Sequence, residues 1–577
     1  MDSLSTATDR FQQWLADPYF APLHPELRAI AGNPDEIEDR FYRFLQFGTG
    51  GLRGVIAAGT NRMNRYVIRH ATQGLADYIG TFGPEVKTQG VVIAHDSRRM
   101  SREFALEAAL TLAAAGIPAY LFDSLRPTPM LSFAVRELRT IAGIVITASH
   151  NPPEYNGYKV YWEDGGQIPP QRAKAIEAAI MAIADLTSIH PMEEGDARAK
   201  GLLRDVPPSV DRAYYDRLAA LATTPRTARQ ACRILYTPLH GTGRVPVETA
   251  LTEAGYPVSL VPEQAMPDPD FSTVTYPNPE EPAVFELALK QAEKEQPDLI
   301  MATDPDADRL GVMVRDRDGS YHLLTGNQVG ALLVDYLVTS QAAAGTLPKN
   351  AAVIKTIATS NMIAPLCRQY GVTLMDTHTG FKFIGDKIRE FEETGSHTFL
   401  LGYEESYGYL GATFVRDKDG VMASLLVAEA AAYHKAQGRT LLDALESIWQ
   451  RCGYFKEGLH SVTLPGQEGQ ARIAQLMADL RRHPPAAFGG IPVAFTDDYA
   501  AQVGRENAAG RTYPLTLGKA DVLHYRFADG GFVMVRPSGT EPKLKLYFSV
   551  KGSSQAHAAQ LLKAVKADLL QRLGLSD

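Results

Sequence analysis

Apolar runs alternate with amphipathic stretches along this chain, and the first such series predicts an α/β unit. Strands are predicted at residues 90–94, 118–122 and 141–146, with helices at 101–115 and 131–138 between them. Short apolar runs bounded by turn residues are typical of strands buried in a parallel sheet, and the intervening helices provide the crossovers. A parallel sheet of this kind brings the loops that follow its strands to one edge.

The same order of strand and helix recurs twice before the pattern changes. Predicted strands lie at 233–236, 258–261, 298–303, 353–354 and 372–374. Residues 4–46 are predicted to be helical, and so is much of 171–220. From about residue 456 an α+β pattern begins, with strands at 522–527, 532–535 and 544–550 and a closing helix at 554–573. We therefore predict three similar α/β domains and a smaller α+β domain, with boundaries at 1–205, 206–320, 321–455 and 456–577.

The loop after the strand 141–146 contains the sequence TASHNPPEYNGYK, residues 147–159. Because NPP and NG favour turns, we predict this whole segment to be a loop at a strand end. Ser149 lies at its apex, where a serine is either a nucleophile or phosphate carrier, or part of a turn-forming corner. Both interpretations stay open on this segment alone. Arg98 and Arg99 follow a strand of the same sheet and are expected at the same edge, although arginines are common on surfaces after strands.

A second candidate site follows the strand 298–303, which runs directly into DPDADR. Asp304, Asp306 and Asp308 alternate, so an extended backbone would direct their carboxylates to one side. Crowded carboxylates repel one another unless a cation neutralises them, and oxygen ligands suit Mg²⁺ or Mn²⁺ better than zinc. An EF-hand is excluded, because arginine occupies the positions of its glycine and its last glutamate. The alternative is a hydrophilic turn that is merely rich in aspartate.

Three glycine-containing loops have residues that suit either sugar hydroxyls or an anion. In GYEESYG, residues 402–408, two carboxylates and a hydroxyl can accept and donate hydrogen bonds to sugar hydroxyls, although such loops are more often simply solvated. RPSGT, residues 536–540, offers an arginine, two hydroxyls and backbone N–H groups to a phosphate, or else forms an edge hairpin turn. The loop 47–54 exposes backbone N–H groups beside Arg53, or is a plain flexible turn.

Two lysines and four histidines also lie in these regions. Lys159 and Lys382 are candidates for proton transfer if burial or neighbouring charges bring their pKa values near the working pH. Histidines occur in the loops at His95, His150, His240 and His378. Taken singly, each histidine is better explained as a hydrogen-bonding loop residue than as a catalyst.

Composition indicates an ordinary soluble enzyme. The 577 residues are 45% hydrophobic and 21% charged, with a net charge of −8, which argues against general nucleic-acid binding. Cys232, Cys367 and Cys452 have no metal-binding or disulfide spacing, which favours buried thiols in a reducing compartment. The N-terminus lacks the pattern of a signal peptide, and no run of 18 apolar residues predicts a membrane span. We expect a cytoplasmic location.

The four motifs TASHNP, DPDADR, GYEESYG and RPSGTEPK occur in that order, one per predicted domain, and together they resemble the α-D-phosphohexomutase family, especially its bacterial phosphoglucomutases. The resemblance covers the chain from about residue 47. It implies three similar α/β domains and a C-terminal domain like the TATA-box-binding protein, around a central cleft. It also implies phosphosugar substrates and a monomer or homodimer.

The resemblance further implies a reaction and a set of site residues. Glucose 1-phosphate and glucose 6-phosphate would interconvert through a phosphoserine and a glucose 1,6-bisphosphate intermediate, which also serves as activator, with one Mg²⁺ per chain. Phosphomannomutase activity can accompany this reaction. By position, Ser149 would carry the phosphate and ligate the metal with Asp304, Asp306 and Asp308. The catalytic group would also contain Arg53, His150, Lys159, Arg309 and Lys382, with Lys159 the preferred acid or base. Substrate would be bound by Glu404, Ser406, Arg536, Ser538, Gly539, Thr540 and Lys543.

One departure and several alternatives accompany this interpretation. Some relatives have a histidine after the Thr-Gly of the third-domain loop, where this chain has Phe381 and Lys382. The departure favours glucose phosphates and weakens a histidine-base mechanism, although His378 stays a candidate. Phosphopentomutase and glucose-1,6-bisphosphate synthase share the architecture. A metal-dependent sugar phosphatase and a non-catalytic phosphosugar-binding protein are the alternatives from other classes.

Overall fold

The computed structural model of the chain describes residues 6–48, 50–464, 466–538 and 543–575. Its helices are α1 (Ala7–Ala16), α2 (His24–Ile30), α3 (Pro34–Phe41), α4 (Arg65–Gly80), α5 (Pro84–Thr88), α6 (Ser101–Ala114), α7 (Thr128–Leu138), α8 (Pro170–Met181), α9 (Glu194–Ala199), α10 (Pro208–Ala219), α11 (Arg226–Ala231), α12 (Arg244–Ala254), α13 (Pro262–Ala265), α14 (Glu286–Glu295), α15 (Gly326–Ala344), α16 (Ala364–Tyr370), α17 (Lys382–Thr394), α18 (Gly420–Lys435), α19 (Leu441–Cys452), α20 (Gly466–Arg482) and α21 (Gln555–Leu573). Short 3-10 helices lie at Pro18–Leu23, Leu186–Ser188 and Pro282–Phe285.

The strands of the same residues are β1 (Gly51–Val55), β2 (Val91–His95), β3 (Ala119–Leu121), β4 (Ala142–Ile146), β5 (Tyr155–Trp162), β6 (Leu203–Asp205), β7 (Ile234–Thr237), β8 (Val258–Leu260), β9 (Leu299–Thr303), β10 (Leu310–Arg315), β11 (Tyr321–Leu323), β12 (Ala351–Thr356), β13 (Thr373–Thr377), β14 (Thr398–Tyr403), β15 (Tyr409–Leu410), β16 (Tyr454–Thr463), β17 (Ala487–Phe488), β18 (Ile491–Asp498), β19 (Val503–Glu506), β20 (Arg511–Pro514), β21 (Leu523–Phe527), β22 (Phe532–Pro537) and β23 (Lys543–Gly552).

Contacts divide the chain into two compact units. Unit 1 contains the chain up to Leu324 together with Phe381–Thr394 and Ser406–Gly438. Unit 2 contains Thr325–Gly380, Gly395–Glu405 and the chain from Arg439 onward. Each unit is therefore assembled from stretches that are not continuous in sequence.

Unit 1 is built on two mixed sheets. The first has the strand order β1-β5-β4-β2-β3-β6, and the second has the order β11-β10-β9-β7-β8. In the first sheet β2 pairs in parallel with β3 and β4, as predicted, because β2 and β4 are apolar and buried on both faces and α6 and α7 provide the crossovers. Each sheet then ends in antiparallel strands, β5 and β1 in one and β10 and β11 in the other.

Two strands of the first sheet, the antiparallel β5 and the parallel β6, correct the sequence prediction. The segment 147–159 was expected to be loop throughout, but β5 begins at Tyr155 and carries Lys159 into the sheet. The sequence Asn156-Gly157 is a turn signal in isolation. Here Gly157 lies within the sheet, where a Cβ atom would come within 2.4 Å of the Thr147 carbonyl oxygen, so the glycine permits close strand packing. The short strand β6 likewise interrupts the predicted helical stretch 171–220.

The N-terminal helices add an aromatic cluster to unit 1. Trp14 stacks on Phe20 with ring centroids 4.3 Å apart, and Phe41 and Tyr66 meet Trp14 edge-on. Burial of these rings attaches α1–α3 to α4 and stabilises a segment that has no motif of its own. The helical prediction for 4–46 is correct for most of this segment but overextended, because α3 ends at Phe41.

Unit 2 combines a parallel and an antiparallel sheet. Strands β13, β12 and β14 run parallel in that order. The larger sheet is antiparallel, with the order β16-β23-β22-β21-β18-β19-β20, and β17 pairs with β18 at one end. Helices α20 and α21 cover its apolar face through residues such as Leu476 and Leu569. This change from parallel to antiparallel pairing agrees with the predicted α/β and α+β segments.

Candidate active site

Ser149 lies in the tight loop between β4 and β5. Its backbone has a φ of 52°, a left-handed conformation that is uncommon for serine, and its N–H donates to Thr147 Oγ1 at 2.9 Å. The hydroxyl of Ser149 donates to Asp304 Oδ2 at 2.7 Å and lies 3.2 Å from His150 Nδ1. The structure therefore brings the serine loop and the aspartate motif, 155 residues apart in sequence, into direct contact.

The three aspartates lie in the turn between the antiparallel strands β9 and β10. Asp304, Asp306 and Asp308 are all buried, and one carboxylate oxygen from each lies within 4.8 Å of the other two. Asp304 Oδ1 accepts hydrogen bonds from the backbone N–H groups of Asp308 and Arg309 at 3.1 and 3.0 Å. The expected extended backbone was wrong: the carboxylates converge because the chain turns at Ala307, where φ is 48°.

The electrostatics of this turn suit a bound cation. Within the described residues, the buried Oδ1 atoms of Asp306 and Asp308 have no hydrogen-bond donor. Burial, together with the charges of its two neighbours, holds the pKa of Asp304 well above the usual value for aspartate. Burial would raise the pKa of Asp306 as well, but Lys159 outweighs it and the pKa is lowered. Oxygen atoms left without a donor in a buried carboxylate group are ligands that fit a divalent metal such as Mg²⁺.

Basic side chains surround the aspartate turn from several elements. Lys159 on β5 contacts Asp306 Oδ2 at 2.7 Å and Asp308 Oδ2 at 3.4 Å. Burial alone would lower the pKa of Lys159, but the two carboxylates raise it, so this lysine is a cation here. Arg309 pairs with Glu280 at 2.6 Å. Arg53 on β1 donates to Asn151 Oδ1 at 3.1 Å, at the edge of the serine loop.

Lys418 belongs to this group, although it was not among the residues predicted from the sequence. Its Nζ lies 3.3 Å from Asp308 Oδ2 and 3.1 Å from Asp417 Oδ1. Asp417 in turn accepts a hydrogen bond from Tyr161 of β5 at 2.7 Å. The available signal was a run of charged residues, RDKDG, directly before the apolar helix α18, a combination that also describes many solvated helix starts.

The two remaining catalytic candidates of unit 1 differ in position. Burial, with Arg309 and Arg53 nearby, lowers the pKa of His150 well below its ordinary value, so the imidazole beside Ser149 is neutral. Lys382 begins α17 and lines a polar cavity of about 360 Å³ with Trp162, Arg172 and other residues, a lining that does not include Ser149 or the three aspartates. The structure thus brings His150 to the serine, whereas Lys382 lines this cavity and follows Phe381, whose ring centroid lies 5.7 Å from Lys418 Nζ.

The predicted sugar-binding residues of the GYEESYG motif divide between the units. Glu404, at the end of β14 in unit 2, accepts a hydrogen bond from the backbone N–H of Gly380 at 2.9 Å. Its neighbour Glu405 accepts from the hydroxyls of Thr356 and Thr359 at 3.0 and 3.1 Å. Ser406 is the first residue of the last stretch of unit 1.

Three of the predicted phosphate-binding residues, Arg536, Ser538 and Lys543, lie where β22 ends and β23 begins in unit 2. Arg536 is paired in register with Lys545, and Ser538 N–H donates to the Lys543 carbonyl at 2.7 Å. Tyr547, whose pKa is raised by burial and by the nearby Glu405, also contacts Arg536. Gly539 and Thr540 lie outside the described residues.

Comparison with known proteins gives matches along the whole series of domains. Residues 45–186, 212–319 and 325–452 match the family models described as phosphoglucomutase/phosphomannomutase alpha/beta/alpha domains I, II and III. Residues 490–567 match the model of the C-terminal domain of the same proteins. The chain belongs to the phosphoglucomutase/phosphomannomutase family. It is therefore an enzyme of the phosphohexomutase type, and the predicted resemblance and fold class are confirmed.

Individual members of the phosphoglucomutase/phosphomannomutase family support this membership. A phosphoglucomutase from Staphylococcus haemolyticus is 37% identical over 89% of this chain and 91% of its own length. A phosphoglucomutase from Staphylococcus aureus is 37% identical over 92% of this chain and 94% of its own length. The crystal structure of a putative phosphomannomutase from Thermus thermophilus is similar in fold, with a TM-score of 0.66, 23% identity, and coverage of 92% of this chain and 99% of that one.

Among the described residues, no helix combines the length and the apolar character needed to cross a bilayer.

Proposed function

We propose that this enzyme is a phosphoglucomutase that interconverts glucose 1-phosphate and glucose 6-phosphate through a phosphoserine at Ser149. The observation that carries the proposal is the 2.7 Å hydrogen bond from Ser149 Oγ to Asp304 in a buried group of three carboxylates. A serine hydroxyl held against a cation-binding group has the arrangement needed for phosphoryl transfer, which depends mainly on positioning and charge stabilisation.

The transfer begins with phosphate on Ser149 and a free hydroxyl of the hexose monophosphate. The hydroxyl oxygen forms a bond to phosphorus as the bond from phosphorus to Ser149 Oγ breaks, which gives glucose 1,6-bisphosphate. Ser149 Oγ gains a proton from a neighbouring acid, and that acid is restored by the proton that the attacking hydroxyl loses, so the transfer conserves protons. We assign the proton donation to Lys159, because the adjacent carboxylates keep this lysine in its charged form. Return of the other phosphate to Ser149 completes the reaction.

Asp304, Asp306 and Asp308 would hold one Mg²⁺, with Ser149 as a further oxygen ligand. When bound, this ion neutralises charge on the transferring phosphoryl group. Arg53, Arg309 and Lys418 contribute fixed positive charge around the same group. Their placement on three different segments of unit 1 supports a site that is organised before the substrate arrives.

Substrate recognition is assigned to the loops of the GYEESYG and RPSGT motifs. We propose that Glu404 and Ser406 bind sugar hydroxyls. The phosphate that is not being transferred would be bound by Arg536, Ser538, Gly539, Thr540 and Lys543. His150 and Lys382 complete the proposed catalytic set. We further propose a cytoplasmic location, in agreement with three cysteines that are free and buried, and a monomer or homodimer.

A phosphorus NMR time course with glucose 1-phosphate, Mg²⁺ and a trace of glucose 1,6-bisphosphate tests this function. We expect conversion to glucose 6-phosphate without free phosphate, loss of turnover in Ser149→Ala, and normal turnover in the control Ser124→Ala, whose serine is exposed. Accumulation of inorganic phosphate by the wild-type enzyme would identify a phosphatase. Turnover of ribose 1-phosphate without turnover of glucose 1-phosphate would identify a phosphopentomutase. Either result would overturn the proposal.

A further inference from the structure

Arg98 is a buried cation directly behind the serine loop. It lies between β2 and α6, and its side chain has no exposed surface. Its Nε lies 3.2 Å from Asp96 Oδ2, while Asp96 Oδ1 accepts hydrogen bonds from Arg98 N–H at 2.9 Å and from Ser101 Oγ at 2.6 Å. Among the described residues, Asp96 is the carboxylate within ion-pair distance of this guanidinium, and it is itself fixed by hydrogen bonds of the loop. A buried charge held this firmly requires an explanation beyond packing, because its desolvation is costly.

The other nitrogens of Arg98 are directed at the backbone of the serine loop. Nη1 donates to the carbonyl oxygens of Pro152 at 2.7 Å and of Tyr155 at 3.1 Å. Nη2 donates to the carbonyl oxygens of Ser149 and Asn151. One planar guanidinium thus joins four carbonyls within seven residues of chain, a geometry that the rigid fork of donors in arginine permits and that a lysine ammonium cannot reproduce.

These hydrogen bonds determine which backbone groups of the loop are turned toward the Ser149 hydroxyl and which are turned toward Arg98. Carbonyl oxygens carry partial negative charge and would repel a phosphoryl group, but the carbonyl of Ser149 is turned toward Arg98. Because a trans peptide directs its N–H away from its C=O, the N–H of His150 points away from Arg98. The same hydrogen bonds hold Ser149 in its left-handed backbone conformation, which serine does not favour by itself.

Arg98 also connects Ser149 with Arg53. The carbonyl oxygen of Asn151 accepts a hydrogen bond from Arg98 Nη2, and its side-chain oxygen accepts one from Arg53 Nη1 at 3.1 Å. On its other side Arg98 lies 4.9 Å from the ring centroid of Phe271, a fully buried residue of the segment that follows α13. The adjacent Arg99 is different: more than half of its side chain is exposed, and it pairs with Asp270 at the surface.

We propose that Arg98 is a positioning residue for phosphoryl transfer, which fixes the Ser149 loop and, through Asn151, the side chain of Arg53. This inference rests on the proposed function, in which Ser149 carries the phosphate. Arg98 touches neither the reacting atoms nor the substrate. Its contribution is to hold the nucleophile and one phosphoryl-binding cation in a fixed relation, which controls both the rate of transfer to sugar and the leakage of phosphate to water.

The test compares Arg98→Met, Arg98→Lys and Arg99→Met with the wild-type enzyme. Each is assayed for kcat and KM with glucose 1-phosphate and for inorganic phosphate released per turnover, and the thermal unfolding midpoint reports the folded state. We expect Arg98→Met to lower kcat about a hundredfold, since small misplacements of reacting groups have effects of that size, with KM within about twofold of wild type. Phosphate release per turnover should rise at least tenfold.

The two other variants separate positioning from charge and from general stability. Arg98→Lys keeps the charge but not the fork of donors, so we expect it to recover less than a tenth of the lost kcat. Arg99→Met should match the wild type in every measurement. Full recovery in Arg98→Lys, an unchanged release ratio in Arg98→Met, or equal losses in Arg99→Met would overturn the proposal. It would also be overturned if neither Arg98 variant folds, because Arg98 would then be required for folding alone. Failure of the proposed function itself would appear in the wild-type enzyme, which would form no glucose 6-phosphate.

Discussion

Acidic and basic side chains are gathered around the aspartate turn in nearly equal number. Lys159 and Lys418 contact the carboxylates directly, and Asp417 faces Lys418. The acidic members are Asp304, Asp306, Asp308 and Asp417, and the basic members are Lys159, Arg309 and Lys418. If these seven side chains are all ionised, their charges sum to one negative charge before a metal binds and to one positive charge after a divalent ion is added. A phosphoryl group, which is an anion, therefore requires the metal-bound form of this site.

Lys418 should contribute to catalysis, although the local sequence did not predict it as a site residue. We expect Lys418→Met to lower kcat/KM at least tenfold, because it removes one of four positive charges near the transferring phosphoryl group, the others being Arg53, Lys159 and Arg309. Lys435→Met is the control, since Lys435 ends the following helix α18 and pairs with Asp298 at the surface. Steady-state kinetics with glucose 1-phosphate measures both. Equal activity of the two variants would remove Lys418 from the site.

Asp419 should make stability depend on pH. Burial raises its pKa to about 7, although its carboxylate accepts hydrogen bonds from Met422 N–H and the Tyr214 hydroxyl. An aspartate whose pKa is higher in the folded than in the unfolded state adds to the free energy of unfolding. The full contribution is present below about pH 4, and it is lost as the pH rises through about 7. Between pH 5 and pH 8 the loss is on the order of 3 kcal/mol.

The measurement for Asp419 is the thermal unfolding midpoint of wild type and Asp419→Asn at pH 5 and pH 8. Asparagine cannot titrate, so the variant should lose less stability than the wild type between these two pH values. Asp216→Asn serves as the control, because Asp216 is an exposed residue of α10, the helix that also carries Tyr214. If Asp419→Asn follows the wild-type pH dependence, the carboxylate is ionised throughout.

At the scale of single residues, the sequence predicted which side chains have functional chemistry better than it predicted which side chains contact one another. Ser149 and the three aspartates were selected because strand ends and hard oxygen ligands indicate function without knowledge of partners. Lys418 and Arg98 depend on neighbours that are more than 50 residues away along the chain. No local pattern contains that information. The roles of the predicted site residues remain predictions until the variants are measured.

The antiparallel pair β1 and β5 is the element that connects two of the proposed catalytic cations. Arg53 is carried by β1 and Lys159 by β5, and Gly51 lies directly opposite Lys159 in the register. Gly51 has a φ of 147°, and a Cβ atom there would come within 1.9 Å of the Tyr158 carbonyl oxygen. Close approach of the two backbones therefore requires glycine at this position.

Gly51→Ala should separate β1 from β5 and displace both cations. We expect a loss of about 3 kcal/mol or more in stability, a size typical of severe steric conflict, together with a fall in kcat of more than tenfold. Gly195→Ala is the matched control, because a Cβ atom at Gly195 in α9 meets nothing within 4 Å. That control should remain within about 1 kcal/mol of wild type. Thermal unfolding and kinetics give both results, and a normal Gly51→Ala enzyme would contradict this account of the pair.

Prediction of whole elements succeeded where the signal was apolar and failed where it was polar. Strands β2, β4, β7 and β9 were found because each is a continuous buried run bounded by turn residues. Strand β5 was missed because Asn156 and Gly157 form a turn signal that the surrounding sheet overrides. The aspartate turn was predicted to be extended because no local sequence pattern indicates the left-handed conformation of Ala307. These errors follow from tertiary contacts that a local pattern does not contain.

At the scale of the molecule, the proposed metal site lies entirely within unit 1. Addition of Mg²⁺ should therefore increase amide hydrogen-exchange protection in the serine loop and in β9 and β10, while β21–β23 of unit 2 remain unchanged. Binding at a hundred times Kd stabilises the bound state by about 2.7 kcal/mol. The control is Asp306→Asn, which should lose the increase. An equal increase in protection in both units of the wild type would show that Mg²⁺ does not act through the aspartate turn.

The discontinuous composition of unit 1 has a consequence for its synthesis on the ribosome. Helix α18, buried along nearly its whole length, packs against α12, β9 and β10, but it is translated long after them. Residues up to Leu324 emerge first, and the end of α18 follows roughly 110 residues later, or about 6 to 20 s at ordinary elongation rates. During that interval the nascent chain exposes the apolar surface that α18 will cover. A message truncated before this helix would release an aggregation-prone fragment, which makes the growing chain a substrate for chaperones that bind nascent apolar surfaces.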